Sequence, residues 1–216
     1  MDWRIEHSRG AASAFHALPM PDPAERTVWF FEVDRPALVL GLSQNESAVD
    51  RSAAAASGVD VVRRRSGGGA VLMVPGEVFW VDVLVPADDG LWNRDASKAA
   101  WWIGDAWVRA LTTLGIRSAD VHHGHLQRTE WSSLVCFDGR GPGEVFVAGR
   151  KVVGISQRRT RTHARFQCAL YRLWDPARLL TLLAPPRPRV EELAPVMAVT
   201  AEAEEIETAF AAALPA

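Results

Sequence analysis

Residues 63–70 read RRRSGGGA and connect two apolar runs, residues 59–62 and residues 70–74. Consecutive glycines allow main-chain conformations with positive φ and let a ligand approach the backbone closely. Main-chain amides and nearby cations in such a turn form a concave site for an anion. The sequence therefore predicts two strands joined by a turn that binds a phosphate or a carboxylate. The simpler interpretation is a tight turn with solvated arginines.

The chain has 216 residues, of which 48% are hydrophobic, so it is long enough to bury a core and to form one domain. The net charge of −2 gives no support for a nucleic-acid-binding surface or for binding to an anionic membrane. The sequence has no run of 18 apolar residues, and its first six residues lack the apolar core of a signal peptide. These features predict a cytoplasmic protein.

Lysine is scarce in this chain. Of its 24 lysine and arginine residues, only Lys98 and Lys151 are lysines. A lysine that occurs despite this preference for arginine is expected to be needed for its compact ammonium group, which the planar guanidinium of arginine does not replace. Lys151 lies in residues 149–159, GRKVVGISQRR, a turn that leads into a strand. Beside the first loop, its ammonium would neutralise charge on an acyl carbonyl and phosphate. The alternative is a hairpin with exposed cations.

Two cysteines are too few for a disulfide framework. Cys136 stands fifteen residues before Lys151, and a cysteine near a cation can act as an acyl nucleophile. A cysteine in an apolar run is also commonly a small buried hydrophobe, so both interpretations stay open for Cys136. We interpret Cys168 as structural. The histidines at 122, 123 and 125 lack a second ligand cluster, so we predict no metal site.

Hydrophobic periodicity predicts an α+β fold with a mixed, mainly antiparallel sheet and flanking helices. Besides the two runs around the glycine loop, strands are predicted at residues 27–33, 37–42, 77–85, 119–122, 132–137, 144–148, 152–156 and 164–173. Helices are predicted in the alanine-rich segment that ends at residue 18, at residues 46–57 and 96–114, from residue 175 onward, and at residues 200–214.

The two glycine-containing motifs, with LGLSQN at residues 40–45, resemble the lipoate-protein ligase and octanoyltransferase family of the biotin/lipoate protein ligase superfamily. The order and spacing of the motifs agree over residues 28–174. The resemblance implies a biotin/lipoate protein ligase catalytic fold and a single catalytic domain over residues 1–216, without a C-terminal accessory domain.

The resemblance also implies a set of site residues. Catalysis is expected at Lys151, which would contact the acyl carbonyl and the phosphate. Binding of the acyl group or acyl-adenylate is expected at Arg64, Arg65, Ser66, Gly67, Gly68, Gly69, Ala70, Gly149, Gly154, Ser156, Gln157 and Arg158. The sequence assigns no metal ligands.

Two reactions occur among proteins that this chain resembles. Ligases use ATP with Mg²⁺ to activate lipoate or octanoate as acyl-AMP, and a lysine of a lipoyl carrier domain then takes the acyl group. The carrier is the glycine cleavage H protein or the E2 subunit of a 2-oxoacid dehydrogenase, and a separate accessory-domain protein can assist. Transferases use neither ATP nor Mg²⁺. They take octanoate from acyl carrier protein onto a cysteine that corresponds to Cys136, as a thioester.

The form of residues 66–69, SGGG, is that of the ligases, so a ligase is the preferred interpretation from sequence. An octanoyltransferase that uses Cys136 is the alternative, and a non-catalytic relative that binds the acyl group or the carrier is the third. Three segments depart from the family pattern. Met73 and Val74 replace a usual His-Asp pair, FQCA at 166–169 replaces His-Gly and a small hydroxyl residue, and WSSL at 131–134 replaces an Asn-Asp pair. These departures predict altered nucleotide or acyl binding.

Overall fold

A computed structural model describes residues 3–216. Its helices are α1 (Ala12–Ala17), α2 (Arg51–Ala56), α3 (Trp101–Thr113), α4 (Pro176–Thr181) and α5 (Ala203–Ala213). Its strands are β1 (Arg4–Gly10), β2 (Thr27–Val33), β3 (Ala37–Leu40), β4 (Asp60–Arg63), β5 (Val71–Met73), β6 (Val78–Pro86), β7 (Ala119–Val121), β8 (Val145–Val147), β9 (Arg150–Arg159) and β10 (His163–Tyr171). Three short 3-10 turns occupy Glu46–Ala48, Cys136–Asp138 and Val190–Glu192. None of the helices within residues 3–216 has the length and apolar character that crossing a bilayer requires.

The strands form two sheets. The larger sheet has the order β1-β2-β6-β10-β9-β8-β7, and the smaller has the order β4-β3-β5. Only the β1–β2 and β3–β4 pairs are parallel among the strands of residues 3–216, and the other pairs are antiparallel. This arrangement confirms the predicted α+β fold with a mixed, mainly antiparallel sheet.

One face of the large sheet packs against α3 and α5. Successive side chains of a strand point to opposite faces, and Val81, Val83 and Val85 of β6 all belong to the core on this side. The apolar face of α3 is buried there, and Trp107 stacks on Phe210 of α5 with ring centroids 4.3 Å apart. The helices therefore support the sheet from the side away from the glycine loop.

The opposite face of the large sheet packs against α1 and the small sheet. Phe15 of α1 stacks on Phe31 of β2 at 4.4 Å, and both rings lie near Trp80 of β6. Val39 and Val71 of the small sheet join the same cluster. The loop that carries residues 63–70 belongs to this small sheet, so it is held over the face of the large sheet.

Some predicted elements were wrong. Residues 132–137 form a turn and a 3-10 turn instead of a strand, because the amides of Leu134 and Val135 both donate to Trp131 O and the amide of Cys136 donates to Ala70 O. The helix predicted at 46–57 is divided in two, since Val49 pairs with Leu183 as an isolated bridge. Helix α3 begins at residue 101 rather than 96.

Strand β1 was missed. Its residues are largely exposed and polar, so they lack the alternation of a half-buried strand. Its parallel partner β2, which covers the predicted range 27–33, holds it at the edge of the large sheet.

Candidate active site

The first arginine of the glycine loop, Arg63, stabilises the loop that follows β3. Arg63 ends β4, and its Nη1 donates hydrogen bonds to the carbonyl oxygens of Gly41, Leu42 and Gln44 at 3.1, 3.1 and 2.7 Å. This guanidinium therefore satisfies main-chain acceptors of the loop after β3.

The second arginine lies beneath the glycines. Arg64 is 4% exposed, and its Nη2 donates to Gly67 O at 2.6 Å and to Gly69 O at 2.9 Å. Its Nη1 donates to Val39 O at 3.3 Å. The same Nη2 lies 3.7 Å from the Sγ of Cys136. A cation that stabilises the loop thus also faces a sulfur atom.

Two of the glycines are required by the close approach of the chain around Cys136. Gly68 has φ of +99°, a conformation that residues with a Cβ rarely adopt. A Cβ on Gly69 would lie 2.7 Å from the amide nitrogen of Cys136. Ala70 N donates to Leu134 O at 2.8 Å, and Cys136 N donates to Ala70 O at 3.0 Å. The loop therefore packs directly against the segment that contains Cys136.

Cys136 and Lys151 are neighbours in space. Lys151 Nζ donates to Cys136 O at 3.1 Å and forms an ion pair with Glu144 Oε2 at 2.8 Å. The ammonium also lies 5.4 Å from the ring centroid of Phe137 and 5.9 Å from that of Phe146. Lys151 is 2% exposed, so the interpretation of an exposed cation in a hairpin was wrong.

Glu144 was missed by sequence reasoning. Its Oε2 accepts a hydrogen bond from Gly141 N at 2.6 Å, and its Oε1 accepts from Ile155 N at 3.4 Å. The β8–β9 hairpin, which turns at Gly149, brings residue 144 back beside Lys151. The signal in the sequence was a carboxylate just before a short strand and a glycine turn.

A polar network joins the glycine loop to the large sheet. Ser66 Oγ lies 3.0 Å from Ser156 Oγ and donates to Gln167 Oε1 at 2.8 Å. The side-chain nitrogen Nε2 of Gln167 lies 3.2 Å from Asp82 Oδ2 and 3.2 Å from His16 Nδ1. Buried polar groups that satisfy each other in this way fix a unique arrangement. The network therefore sets the position of the loop over β9 and β10.

Beneath this network lies a buried ion pair. Arg165 Nε donates to Asp82 Oδ2 at 2.6 Å, and Trp80 Nε1 donates to Asp82 Oδ1 at 2.7 Å. Arg165 Nη2 also donates to Phe15 O at 2.9 Å. The pair thereby ties β6 and β10 to α1.

His16 is neutral in this environment. Burial, with added repulsion from Arg165 and Arg64, lowers the pKa of His16 to about 3. The amide group of Gln167 donates toward Nδ1, so the ring carries its hydrogen on Nε2. Within residues 3–216, that Nε2 has no hydrogen-bond partner.

Two cavities meet at Cys136. The outer one has a volume of about 550 Å³, and its walls include the three glycines of the loop, Glu144, Lys151 and Gln157. The inner one has a volume of about 40 Å³ and lies between the two sheets. Its walls are largely apolar and include Val39, Val71, Met73, Trp80, Phe137 and Ala169, with His16, Arg64 and Gln167 as polar members. Cys136, Ile155 and Ser156 line both cavities.

Residues 15–215 match the family model described as the lipoyl protein ligase A/B catalytic domain. The chain belongs to this family. Octanoyltransferase LipM of Kyrpidia tusciae is 29% identical over 208 residues, which cover 88% of this chain and 73% of that protein. Lipoate–protein ligase 1 of Staphylococcus aureus is 33% identical over 97 residues, which cover 44% of this chain and 28% of that protein.

The fold is shared with solved members of the lipoyl protein ligase family. A putative lipoate protein ligase of Thermoplasma acidophilum, solved with bound lipoic acid, superposes with a TM-score of 0.72. It covers 97% of this chain and 82% of its own chain, at 19% sequence identity. The predicted ligase catalytic fold is confirmed.

Eight of the site residues predicted from the family resemblance, together with the candidate nucleophile Cys136, line one or both cavities. They are Arg64, Gly67, Gly68, Gly69, Lys151, Gly154, Ser156 and Gln157. Ser66 is buried beside these walls in the polar network, and Ala70 is buried and pairs with Val135. Gly149 lies in the β8–β9 turn. Arg65 and Arg158 line neither cavity, and Arg65 is exposed.

The residues that depart from the family pattern lie in different parts of the structure. Met73 is a buried wall of the inner cavity, whereas Val74 packs with the leucines of α4. Gln167 belongs to the polar network. Burial raises the pKa of the Cys168 thiol, which belongs to the core on the helix side of the sheet. Cys168 is therefore a buried core residue, and it also lines the inner cavity.

The residues present do not fit a magnesium site. Residues 3–216 contain no group of three or more histidine, cysteine, aspartate and glutamate side chains placed to hold a metal ion. Of the described residues that line the outer cavity, Glu144 alone carries a carboxylate, and it is paired with Lys151. Mg²⁺ that accompanies ATP is usually held by one or two carboxylates together with phosphate oxygens, and the carboxylate of Glu144 is already taken by Lys151.

Proposed function

We propose that this protein is an acyltransferase that moves an octanoyl group from acyl carrier protein to a lysine of a lipoyl carrier domain through Cys136. The observation that carries the proposal is the place of Cys136 where the two cavities meet, 3.7 Å from an arginine nitrogen and next to Lys151. The likeness to an octanoyltransferase over 88% of the chain supports the same reaction.

In the first half-reaction, Cys136 Sγ attacks the carbonyl carbon of the donor thioester. The bond from that carbon to the donor sulfur breaks, and the donor leaves as a thiol with the proton that Cys136 gives up. Nη2 of Arg64 stabilises negative charge on the cysteine sulfur during this exchange. In the second half-reaction, the neutral amine of the carrier lysine attacks the acyl carbon, the carbon–sulfur bond breaks, and Cys136 regains a proton from the amine.

Lys151 supplies a fixed positive charge to this chemistry. Its ammonium lines the outer cavity beside the Cys136 carbonyl, where a hydrogen bond to the acyl carbonyl oxygen would stabilise the charge that develops in both half-reactions.

The inner cavity is the proposed place for the acyl chain. Its walls are mainly apolar, and it opens at Cys136. A volume of about 40 Å³ holds roughly three water-sized groups. An eight-carbon chain would therefore displace a flexible side chain such as Met73 or extend into the outer cavity.

A lipoate-protein ligase is the second candidate. Residues 66–69 have the ligase form, and an outer cavity of about 550 Å³ lies in the size range of small-molecule sites. Lipoate or octanoate, ATP and Mg²⁺ would then be substrates. The lack of fitting carboxylates for Mg²⁺ and the place of Cys136 favour the transferase.

The carrier in either reaction would be the glycine cleavage H protein or an E2 lipoyl domain. A cytoplasmic location is part of the proposal, supported by two free cysteines, since reducing compartments keep thiols unpaired.

The test offers two donors to an apo lipoyl domain and measures the mass of the acceptor. One arm contains octanoyl acyl carrier protein without ATP, and the other contains lipoate with ATP and Mg²⁺. Cys136→Ser is compared with Glu207→Gln, a control in α5 that lines neither cavity. We expect ATP-independent transfer that Cys136→Ser abolishes and Glu207→Gln keeps, with an octanoyl adduct on the wild-type protein.

Transfer that requires ATP and survives Cys136→Ser would establish the ligase instead. If neither donor acylates the acceptor, both reactions are excluded and a binding protein for the carrier or acyl group remains.

A further inference from the structure

We infer that Glu144 is a positioning residue that keeps Lys151 in the site as an ammonium ion and directs one of its N–H groups into the outer cavity. The inference rests on the proposed function, because it concerns the part that Lys151 takes in acyl transfer. The carboxylate and the ammonium lie 2.8 Å apart, and their side chains are 6% and 2% exposed.

The carboxylate is held independently of the lysine. Gly141 N donates to Oε2 at 2.6 Å, and Ile155 N donates to Oε1 at 3.4 Å. These amides come from the turn before β8 and from β9, so Glu144 is fixed to two separate parts of the main chain. Lys151 has the longer and more flexible side chain, and it therefore takes its position from Glu144.

The donors of the ammonium group can be counted. An ammonium has three N–H groups. One is directed to Glu144 and one to Cys136 O, and no other acceptor contacts Nζ within residues 3–216. Lys151 lines the outer cavity. The third N–H is therefore the one available to the carbonyl oxygen of an acyl group bound at Cys136.

Glu144 also maintains the charge. A buried ammonium without a partner carries a large desolvation penalty and tends to lose its proton. The paired carboxylate, 2.8 Å from Nζ, offsets that penalty. A lysine held in this way acts as a charged hydrogen-bond donor.

The scarcity of lysine makes a direct test possible. Protein labelled with ¹³C at the lysine Cε gives two signals, one from Lys151 and one from Lys98, which is the internal reference. The chemical shifts are followed against pH in the wild type, Glu144→Gln, Glu144→Asp and Glu207→Gln. Glu207 lies in α5, where it pairs with His7, and it does not line the outer cavity. Its variant is therefore the control.

In Glu144→Gln, we expect the titration midpoint of Lys151 to fall by at least one pH unit, with a smaller fall in Glu144→Asp. The Lys98 midpoint should stay unchanged in all variants. Equal Lys151 midpoints in the wild type and both Glu144 variants would overturn the inference. If Glu144→Gln does not fold, Glu144→Asp alone decides the question by the same criterion.

Acyl transfer gives the second readout. We expect Glu144→Gln to lower kcat by about tenfold or more and to move the alkaline limb of the pH profile to lower pH, because Lys151 loses its charge earlier. Partial rescue in Glu144→Asp and normal activity in Glu207→Gln are expected. An unchanged pH profile in Glu144→Gln would overturn the inference. A wild-type protein that transfers no acyl group would instead refute the proposed function, and the lysine titration would still decide whether Glu144 holds the charge.

Discussion

Arg64 and Cys136 meet beneath the glycine loop, where Nη2 of the arginine lies 3.7 Å from Sγ of the cysteine. The same nitrogen donates to the carbonyl oxygens of Gly67 and Gly69. The loop therefore does more than surround an anion with main-chain amides. Its own carbonyls hold a buried guanidinium against the sulfur, so the shape of the loop and the environment of the Cys136 sulfur depend on one side chain.

Arg64→Met should slow the alkylation of Cys136 by iodoacetamide several-fold, because the sulfur loses a cation that stabilises its negative charge. It should also lower the free energy of unfolding by about 2–4 kcal/mol, since the carbonyl oxygens of Val39, Gly67 and Gly69 lose a donor and two of these hydrogen bonds are buried. The alkylation rate is measured by mass spectrometry and the stability by urea denaturation. Arg65→Met, an exposed neighbour in the same loop, is the control.

Alkylation of Cys168 reports on unfolding in this experiment, because the folded protein buries that thiol completely. Faster or unchanged alkylation of Cys136 in Arg64→Met, with Cys168 still protected, would contradict the role given to Arg64.

Met73→Ala should shift the preference of the enzyme toward longer acyl chains. Met73 is 4% exposed and forms part of the inner cavity, so removing its side chain lengthens the space behind Cys136. We expect the ratio of kcat/KM for ten-carbon over eight-carbon thioesters to rise several-fold. The cavity should also lower stability by about 2–5 kcal/mol. Val74→Ala is the matched control, since Val74 packs with the leucine cluster of α4 and away from the cavity. A preference that stays the same in Met73→Ala would place the acyl chain elsewhere.

Arg65→Ala should leave the turnover of a small octanoyl thioester within about twofold of the wild type. The resemblance predicts that Arg65 binds the acyl-adenylate, but the side chain is exposed and lines neither cavity. Substitutions at such exposed positions usually change stability by no more than about 0.5 kcal/mol. Steady-state kinetics with the small thioester tests this expectation, and Arg158→Ala should behave alike. A tenfold loss of kcat in Arg65→Ala would restore its predicted contact with the reacting group.

Local patterns in the sequence were enough to predict much of the fold. The β-branched and aromatic run of β2 gave its bounds directly, and the spacing of apolar residues located the buried face of α3. The two glycine motifs also led to Arg64 and Lys151 by their spacing, and the scarcity of lysine and cysteine drew attention to Lys151 and Cys136. Each of these signals lies within one short segment.

The rest of the site depends on pairing between distant strands, which a single sequence does not show. Asp82 and Gln167 are directly opposite each other in the register of β6 and β10, and Arg165 reaches the same carboxylate from two residues away. Glu144 contacts Lys151 through the β8–β9 hairpin. Residues 132–137 were predicted to form a strand because residues 134–137 are apolar, but the main-chain amide of Cys136 donates to Ala70 O in the glycine loop.

His16→Gln should make the stability of the protein less sensitive to mild acid. The folded-state pKa of His16 is about 3, lowered from 6.5 by burial. Between these values the unfolded chain binds a proton at His16 that the folded chain does not, so the free energy of unfolding falls as the pH decreases below 6.5. The decrease in the free energy of unfolding approaches about 1.4 kcal/mol for each pH unit. Between pH 6.5 and pH 5 it amounts to about 2 kcal/mol.

Urea denaturation of the wild type, His16→Gln and His125→Gln at pH 7.5 and pH 5 measures this contribution. The ring of His16 packs on Trp80 at 4.7 Å, so His16→Gln should be less stable than the wild type at pH 7.5. Its further loss at pH 5 should nevertheless be smaller than that of the wild type by about 2 kcal/mol. His125 has an exposed side chain, so its variant should follow the wild type at both pH values. Equal losses in all three proteins would show that His16 takes up a proton in the folded state as readily as in the unfolded one.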